Sequence, residues 1–208
     1  MLRVLQRACI RAGINIKYTR GFNPHPRLSL PLPKPVGVES DEEFLCIRIN
    51  LDSPEIHEPM DEQQIKKYES QIKAALSEQL PEGCEALRVS VTEGRDTFQP
   101  LSVTYIFPVH NGFFSDKFDI KVDHLMDSEN INIRRRTGEK SIKTKNLNIR
   151  DFLKSINTDG NDIIAECRIS PAGSIRIEEI MELLELDAGM LDGPIRRTDI
   201  KWQADEPS

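Results

Sequence analysis

Apolar positions change period several times along the first hundred residues. Leu2, Leu5, Cys9 and Ala12 recur at helical spacing, and Arg3, Arg7 and Arg11 recur every four residues along one row of the same helix. Gly13 is its expected stop. Residues 14–18 read as a short strand or an extended link. Residues 44–51 alternate as a strand, with Phe44 and Cys46 on one face and Leu45, Ile47, Ile49 and Leu51 on the other. Helical spacing returns over 61–80 through Ile65, Tyr68, Ile72, Ala75 and Leu76, and Pro81 and Gly83 end it. Leu87, Val89 and Val91 then alternate as a further strand.

After a linker over 93–100 the rhythm resumes. Leu101, Val103, Tyr105, Phe107 and Val109 alternate as a strand. Ser115 is placed to cap a helix carrying Phe118 and Val122. Residues 131–136 and 140–147 read as two strands joined at Thr137-Gly138-Glu139. Ile149, Phe152, Leu153 and Ile156 have the spacing of a short helix, and residues 162–169 that of a strand. Ile177, Ile180, Met181 and Leu184 mark a last helix, and Ile200 and Trp202 a closing strand. This order predicts an α+β protein of two tandem ferredoxin-like (βαββαβ-type) halves, residues 1–95 and 101–203, the first lacking its leading strand.

Composition narrows the class. Hydrophobic residues make up 38% and charged residues 30% of the 208 positions, the balance of a chain that builds a core. No apolar run approaches the roughly 20 residues needed to span a bilayer, and no basic-then-apolar leader opens the chain. The expectation is a cytoplasmic protein with no membrane partner. Cys9, Cys46, Cys84 and Cys167 lie far apart, without the close pairs or triplets of a zinc site or iron–sulfur cluster, and read as reduced core residues. No metal centre is expected.

The net charge of −6 is unevenly spread. In residues 1–39, Arg3, Arg7, Arg11, Lys17, Arg20, Arg27 and Lys34 face only Glu39. In residues 131–154, Arg134, Arg135, Arg136, Lys140, Lys143, Lys145, Arg150 and Lys154 face Glu139 and Asp151. An acidic protein with two basic segments can hold a polyanion locally; the plainer reading is two solvated faces.

Residues 21–40, GFNPHPRLSLPLPKPVGVES, contain Pro24, Pro26, Pro31, Pro33 and Pro35. Each proline fixes φ and removes a donor, and each biases its predecessor away from the helical region. The stretch must be extended and cannot be a central strand paired on both sides. Gly21 and Gly37 suit positive-φ turns. His25 sits between two prolines, with Arg27 two residues on.

The segments RVLQRACIRAG and GFNPHPRLSLPLPKPVGVESDEEFLCI resemble a bacterial family found adjacent to, or fused with, radical SAM proteins that often carry a cobalamin-binding domain. The matching motif is Gly21-Phe22-Asn23-Pro24-His25-Pro26, then Pro33 and Val36-Gly37-Val38-Glu39-Ser40. RRRTGEK at 134–140 resembles the family's basic hairpin, and SIRIEE at 174–179 the start of its last helix. Genes for an E/G-type ribonuclease and for ribosomal proteins are often nearby in that family. Its members open with a strand and a loop bearing a Ser-His-Leu-Asp-type motif, whereas this chain opens at Met1-Leu2-Arg3 within the first helix. The resemblance implies a radical SAM partner that carries the iron–sulfur cluster and S-adenosylmethionine, with cobalamin in some members, and no cofactor on this chain. RNA (tRNA or rRNA) or a ribosomal protein is the implied substrate.

Three functions follow as expectations. The first is a non-catalytic accessory protein that grips a substrate for a radical SAM enzyme. It would use the recognition segment Gly21, Phe22, Asn23, Pro24, His25, Pro26 and Arg27, and phosphate contacts from Arg134, Arg135, Arg136, Lys140, Lys143 and Lys145. Arg134 and Arg136 share a strand face, Arg135 takes the other, and Lys143 and Lys145 are available to join one of them. Phe22, near Arg20 and Arg27, is suited to stack a base; its plainer reading is a core side chain. The second function is an RNA-processing enzyme using His25 as acid or base, with Asp41, Glu42 or Glu43 as partner. The third is a protein-interaction module docking through the proline edge. No phosphate-binding glycine loop or nucleophilic triad is visible, and His57, His110 and His124 read as surface or core residues.

Overall fold

A computed structural model of the chain describes residues 1–50, 60–92, 98–137 and 143–203. It is an α+β protein with four α-helices and several sheets among the described residues, and its chain divides into two compact units.

The first unit comprises Met1–Pro33 and Phe44–Thr97. Helix α1, Leu2–Arg11, buries Leu5, Ala8 and Cys9, and the chain leaves it through Gly13 at φ +69°, where a side chain would be strained. Strand β1, Leu28–Ser29, pairs antiparallel with β3, Cys46–Ile47, while Ile16 bridges to Ile49. Helix α2, Glu62–Ser77, begins with a reciprocal cap: Asp61 accepts from the Gln64 amide at 2.8 Å, and the Gln64 side chain accepts from the Asp61 amide at 2.9 Å. The buried cluster is small: Ala8, Cys9, Ile16, Leu76 and Ala86, flanked by Ile14, Leu28, Leu45, Ile47 and Leu80.

Two expected strands shrink or vanish in this unit. The strand expected over 44–51 is reduced to Cys46–Ile47 and the Ile49 bridge, and Leu51 lies outside the described residues. Leu87, Val89 and Val91 alternate but form no strand; Leu87 is exposed, and the Val91 amide donates to Glu69 Oε1 of α2 at 2.7 Å. Alternation supplies a face, but a strand also needs an edge to pair with. The linker expected over 93–100 falls mostly outside the described residues.

The second unit comprises Lys34–Glu43 and Phe98–Ser208, so the end of the proline-rich stretch, placed with residues 1–95 by the sequence, makes its contacts here. Strand β2, Val38–Ser40, opens the unit. Then come β4, Pro100–Pro108; α3, Asp116–Asp127; the hairpin β5, Asn132–Thr137, and β6, Lys143–Asn148; β7, Leu153–Asp159; β8, Asp162–Arg168; α4, Ile177–Leu184; and β9, Ile195–Trp202. A five-stranded sheet runs β2-β9-β4-β8-β7, with β2 parallel to β9 and every other pair antiparallel; β5 and β6 form a separate two-stranded sheet. β2, which follows the last of the five prolines, sits at an edge of this sheet.

Alternation places Val103, Tyr105 and Phe107 of β4 and Ile163, Ala165 and Cys167 of β8 in the core, with Ile177, Ile180 and Leu184 of α4. A register shift between Pro100 and Ser102 leaves Leu101 exposed, out of phase with Val103. The helix expected from Ile149, Phe152, Leu153 and Ile156 is instead a 3-10 turn, Arg150–Phe152, followed by β7. The cause is a bulge: Leu153 pairs with Cys167 and Ile156 with Ala165, so residues three apart are buried together and mimic helical spacing.

A charged pair lies inside this unit. The Arg197 side chain has no exposed surface; its Nη2 donates to Glu43 Oε1 at 2.5 Å and its Nε to Ser40 Oγ at 3.3 Å. Burial pushes the neighbouring Tyr105 phenol up to about 12, against the pull of the Arg197 guanidinium. Arg197 Nη1 and Glu43 Oε2 are buried without a partner among the described residues.

Candidate functional site

The Gly21-Phe22-Asn23-Pro24-His25-Pro26 motif is a closed loop in the first unit. The Thr19 amide donates to the His25 carbonyl at 2.8 Å, the His25 amide donates to Thr19 Oγ1 at 2.9 Å, and Tyr18 bridges Pro26. Pro24 and Pro26 have no amide hydrogen to satisfy, so a short ladder at the base holds the whole loop. Gly21, at φ +135°, makes the turn into the tip. Phe22 at the tip is fully exposed, at 112% of its reference area, so it is not a core side chain. Among the described residues it is the most exposed large hydrophobic side chain.

His25 contributes its backbone to the ladder while its side chain stays exposed. Among the described residues no carboxylate lies within ion-pair distance of its ring. Of the acids considered as its partners, Glu43 is committed to Arg197.

Beside the loop base lies a cleft of about 610 Å³ lined by Lys17, Tyr18, Arg20, Arg27 and Asn50. Its walls come from three laced segments. The Arg27 amide donates to the Lys17 carbonyl at 2.7 Å, the Lys17 amide to Arg48 at 2.7 Å, the Arg48 amide to Arg27 at 2.9 Å, and the Asn50 amide to Asn15 at 2.7 Å. Lys17, Arg20 and Arg27 are exposed, and none is ion-paired with a described carboxylate. Tyr18 shows 47% of its area. Three unpaired cations around one concavity raise the local potential and suit an anion. Lys17, Tyr18 and Asn50 escaped sequence reasoning; the one available signal was the excess of basic residues before position 40.

The basic hairpin divides its arginines between two roles. Arg135 donates from Nε to Glu179 Oε1 at 2.6 Å and from Nη2 to Glu179 Oε2 at 2.7 Å and to the Ser174 carbonyl at 2.8 Å. Glu179 also accepts from the Arg176 amide at 2.8 Å, at the start of α4. With side-chain exposures of 15% and 10%, Arg135 and Glu179 form a bidentate latch between the RRRTGEK and SIRIEE segments. Arg135 is therefore not available for the phosphate contact expected of it. Arg134 is exposed. In register Arg135 pairs with Lys145, Thr137 with Lys143 and Arg136 with Thr144, so both lysines align with the Arg135 positions rather than with Arg134 and Arg136. Lys140 and the Gly138-Glu139 turn lie outside the described residues, as does His57.

Among the described residues the remaining titratable groups form no second centre. A cavity of about 490 Å³ near the α3 C-terminus mixes Arg150, Lys154 and Arg168 with Asp127, Glu129 and Asp151. The Arg150 guanidinium there is spent on the carbonyls of Met126, Ser128 and Leu153. Burial pushes the Cys167 thiol up to about 12 and raises that of Cys9, so neither is a ready nucleophile. His110 pairs with Asp192 at 3.2 Å on the surface. Among the described residues no three His, Cys, Asp or Glu side chains gather as a metal ligand set, and no helix is long and apolar enough to cross a membrane.

A family model matches residues 1–182, a span that takes in the Phe22 loop, the hairpin and the start of α4. The chain belongs to DUF2344, an uncharacterised protein family conserved in bacteria. No curated protein and no solved structure matches the chain.

Proposed function

We propose that this protein is a non-catalytic accessory protein that grips RNA or a ribosomal component for a radical SAM enzyme. The observation that carries the gripping role is the stiff loop with a bare Phe22 beside the cleft of Lys17, Arg20 and Arg27. Rigid presentation lowers the entropy lost on binding. The radical SAM partner enters through the motif resemblance alone. That partner would bring the iron–sulfur cluster and S-adenosylmethionine, and cobalamin in some members, and would make and break the bonds. His25 serves this reading as a backbone brace of the loop.

The order β9-β4-β8-β7, with α3 following β4 and α4 following β8, supports a ferredoxin-like second half into which the β5–β6 hairpin is inserted. The two-residue strands β1 and β3 of the first unit lend no such support to a tandem arrangement.

The test is a pull-down of the tagged protein with the radical SAM protein encoded beside its gene, together with RNA and ribosomal-protein modification profiles of a deletion strain. Co-purification and the loss of one modification are expected. An unchanged profile with no co-purification would sink the proposal. Cleavage of total RNA by the purified chain, abolished by His25→Ala, would replace it with a catalytic role.

A further inference from the structure

We infer that the cleft in the first unit seats the phosphates of an unpaired nucleic-acid strand while Phe22 stacks on one of its bases. This deepens the gripping role and rests on it for the surface used. The ligand class follows from two kinds of group found together. Lys17, Arg20 and Arg27 supply positive charge around one concavity with no described carboxylate to neutralise it. Guanidinium groups suit phosphate because they present paired donors in a plane. An acidic peptide would satisfy the same cations, but it would leave the fully exposed Phe22 ring without a partner.

Position along the chain joins the two groups. Phe22 follows Arg20 by two residues, so their Cα atoms are at most about 7 Å apart. A phosphate held by Arg20 keeps its own base within reach of the ring. Tyr18, also partly bare, lines the cleft itself and offers a second flat face. A base inside a duplex has both faces covered by its neighbours, so a stacking ring selects an unpaired strand. The hydrogen bonds between Thr19 and His25 close the base of the loop that carries the ring.

The experiment uses the full chain and a fluorescein-labelled, unstructured 12-nucleotide RNA of mixed sequence. Competing arms use the same RNA annealed to its complement and a 12-residue oligoglutamate. Anisotropy is recorded between 50 and 200 mM salt. Tighter binding of the single strand than of the duplex or the peptide is expected, with log K falling against log salt at a slope near −2 for three contacts of about −0.7 each. Lys17→Ala with Arg27→Ala should weaken binding at least tenfold and flatten the slope by more than one. Phe22→Ala should weaken it roughly tenfold without changing the slope. Lys73→Ala, on the exposed side of α2, serves as the control and should match the parent. Because these side chains are exposed, unchanged circular dichroism is expected for each variant. No binding at 50 mM salt, equal or tighter binding of duplex or oligoglutamate, or indifference to the paired substitution would overturn the inference. Failure here with the radical SAM protein still co-purifying removes only this inference. Intact binding without co-purification removes only the accessory role.

Discussion

The two units divide the labour of folding and of recognition. In the second, β4, β7, β8 and β9 are seven to nine residues long and commit many of their side chains to a core. In the first, β1 and β3 pair over only two residues, and the rest of the pairing is the isolated bridges Ile16–Ile49 and Tyr18–Pro26 around the loop that carries Pro24 and Pro26. A long ladder satisfies backbone groups in bulk and commits every second side chain to a core. A short ladder with prolines needs few hydrogen bonds, so its side chains stay outside. Phe107 and Phe22 show the contrast: the same side chain is 0% exposed in one unit and wholly bare in the other. Loops held by a small scaffold commonly carry recognition for this reason.

That contrast breaks first at the two phenylalanines. Phe107→Ala should cost about 4 kcal/mol in urea unfolding, through lost burial and the cavity left behind. Phe22→Ala should stay within about 0.5 kcal/mol. A large loss at Phe22 would mean that its ring is packed and the division of labour is wrong.

A somewhat smaller effect is expected at the buried charge. Glu43→Ala leaves the Arg197 guanidinium without its carboxylate in a dry site and should cost about 3 kcal/mol. The pair already holds two unpartnered polar atoms, so Glu43→Leu with Arg197→Met should regain most of that loss. A double variant as unstable as Glu43→Ala would show that the hydrogen bond from Arg197 to Ser40 of β2 is required.

The hairpin sharpens the comparison within one unit. Arg135→Ala removes a bidentate contact and strands Glu179, at about 2 kcal/mol. Its neighbour Arg134 is exposed, and Arg134→Ala should leave the unfolding midpoint where it was. Equal losses at both positions would remove the latch.

The smallest effect is a pH dependence on the β7–β8–β9 surface. The hydrogen bond from Lys154, aided by Lys201, holds the Glu166 carboxyl below its ordinary range. A depressed carboxylate stabilises the fold above its unfolded value, about 4.3, and loses that contribution as pH falls through the lower folded value. Unfolding midpoints measured from pH 7 to pH 3 should therefore fall less steeply for Glu166→Gln than for the parent. Parallel curves would show that the ion pairs are screened away.

Much of this arrangement was legible in residue order. The helical stripes at Leu5 and Cys9, at Ile65 to Leu76 and at Ile177 to Leu184, and the alternation from Val103 to Val109, each reported a local period that the fold obeys. The prolines placed their segment at edges and turns, since a missing donor is a local fact. Other residues misled for equally definite reasons. The Leu153 bulge turned a strand into an apparent helix, and the 87–91 alternation had no edge to join. Arg135 read as one basic residue among several.

The sequence alone determined which segments could be helical or extended and where backbone donors were missing, because periodicity and proline act over a few neighbouring residues. Only the tertiary structure decided which cations were spent and which were left open. Arg135 meets Glu179, Arg197 meets Glu43, and Lys17, Arg20 and Arg27 meet no described acid. A charge finds its partner through space, across 44 residues for Arg135 and 154 for Arg197, and no local period records that distance.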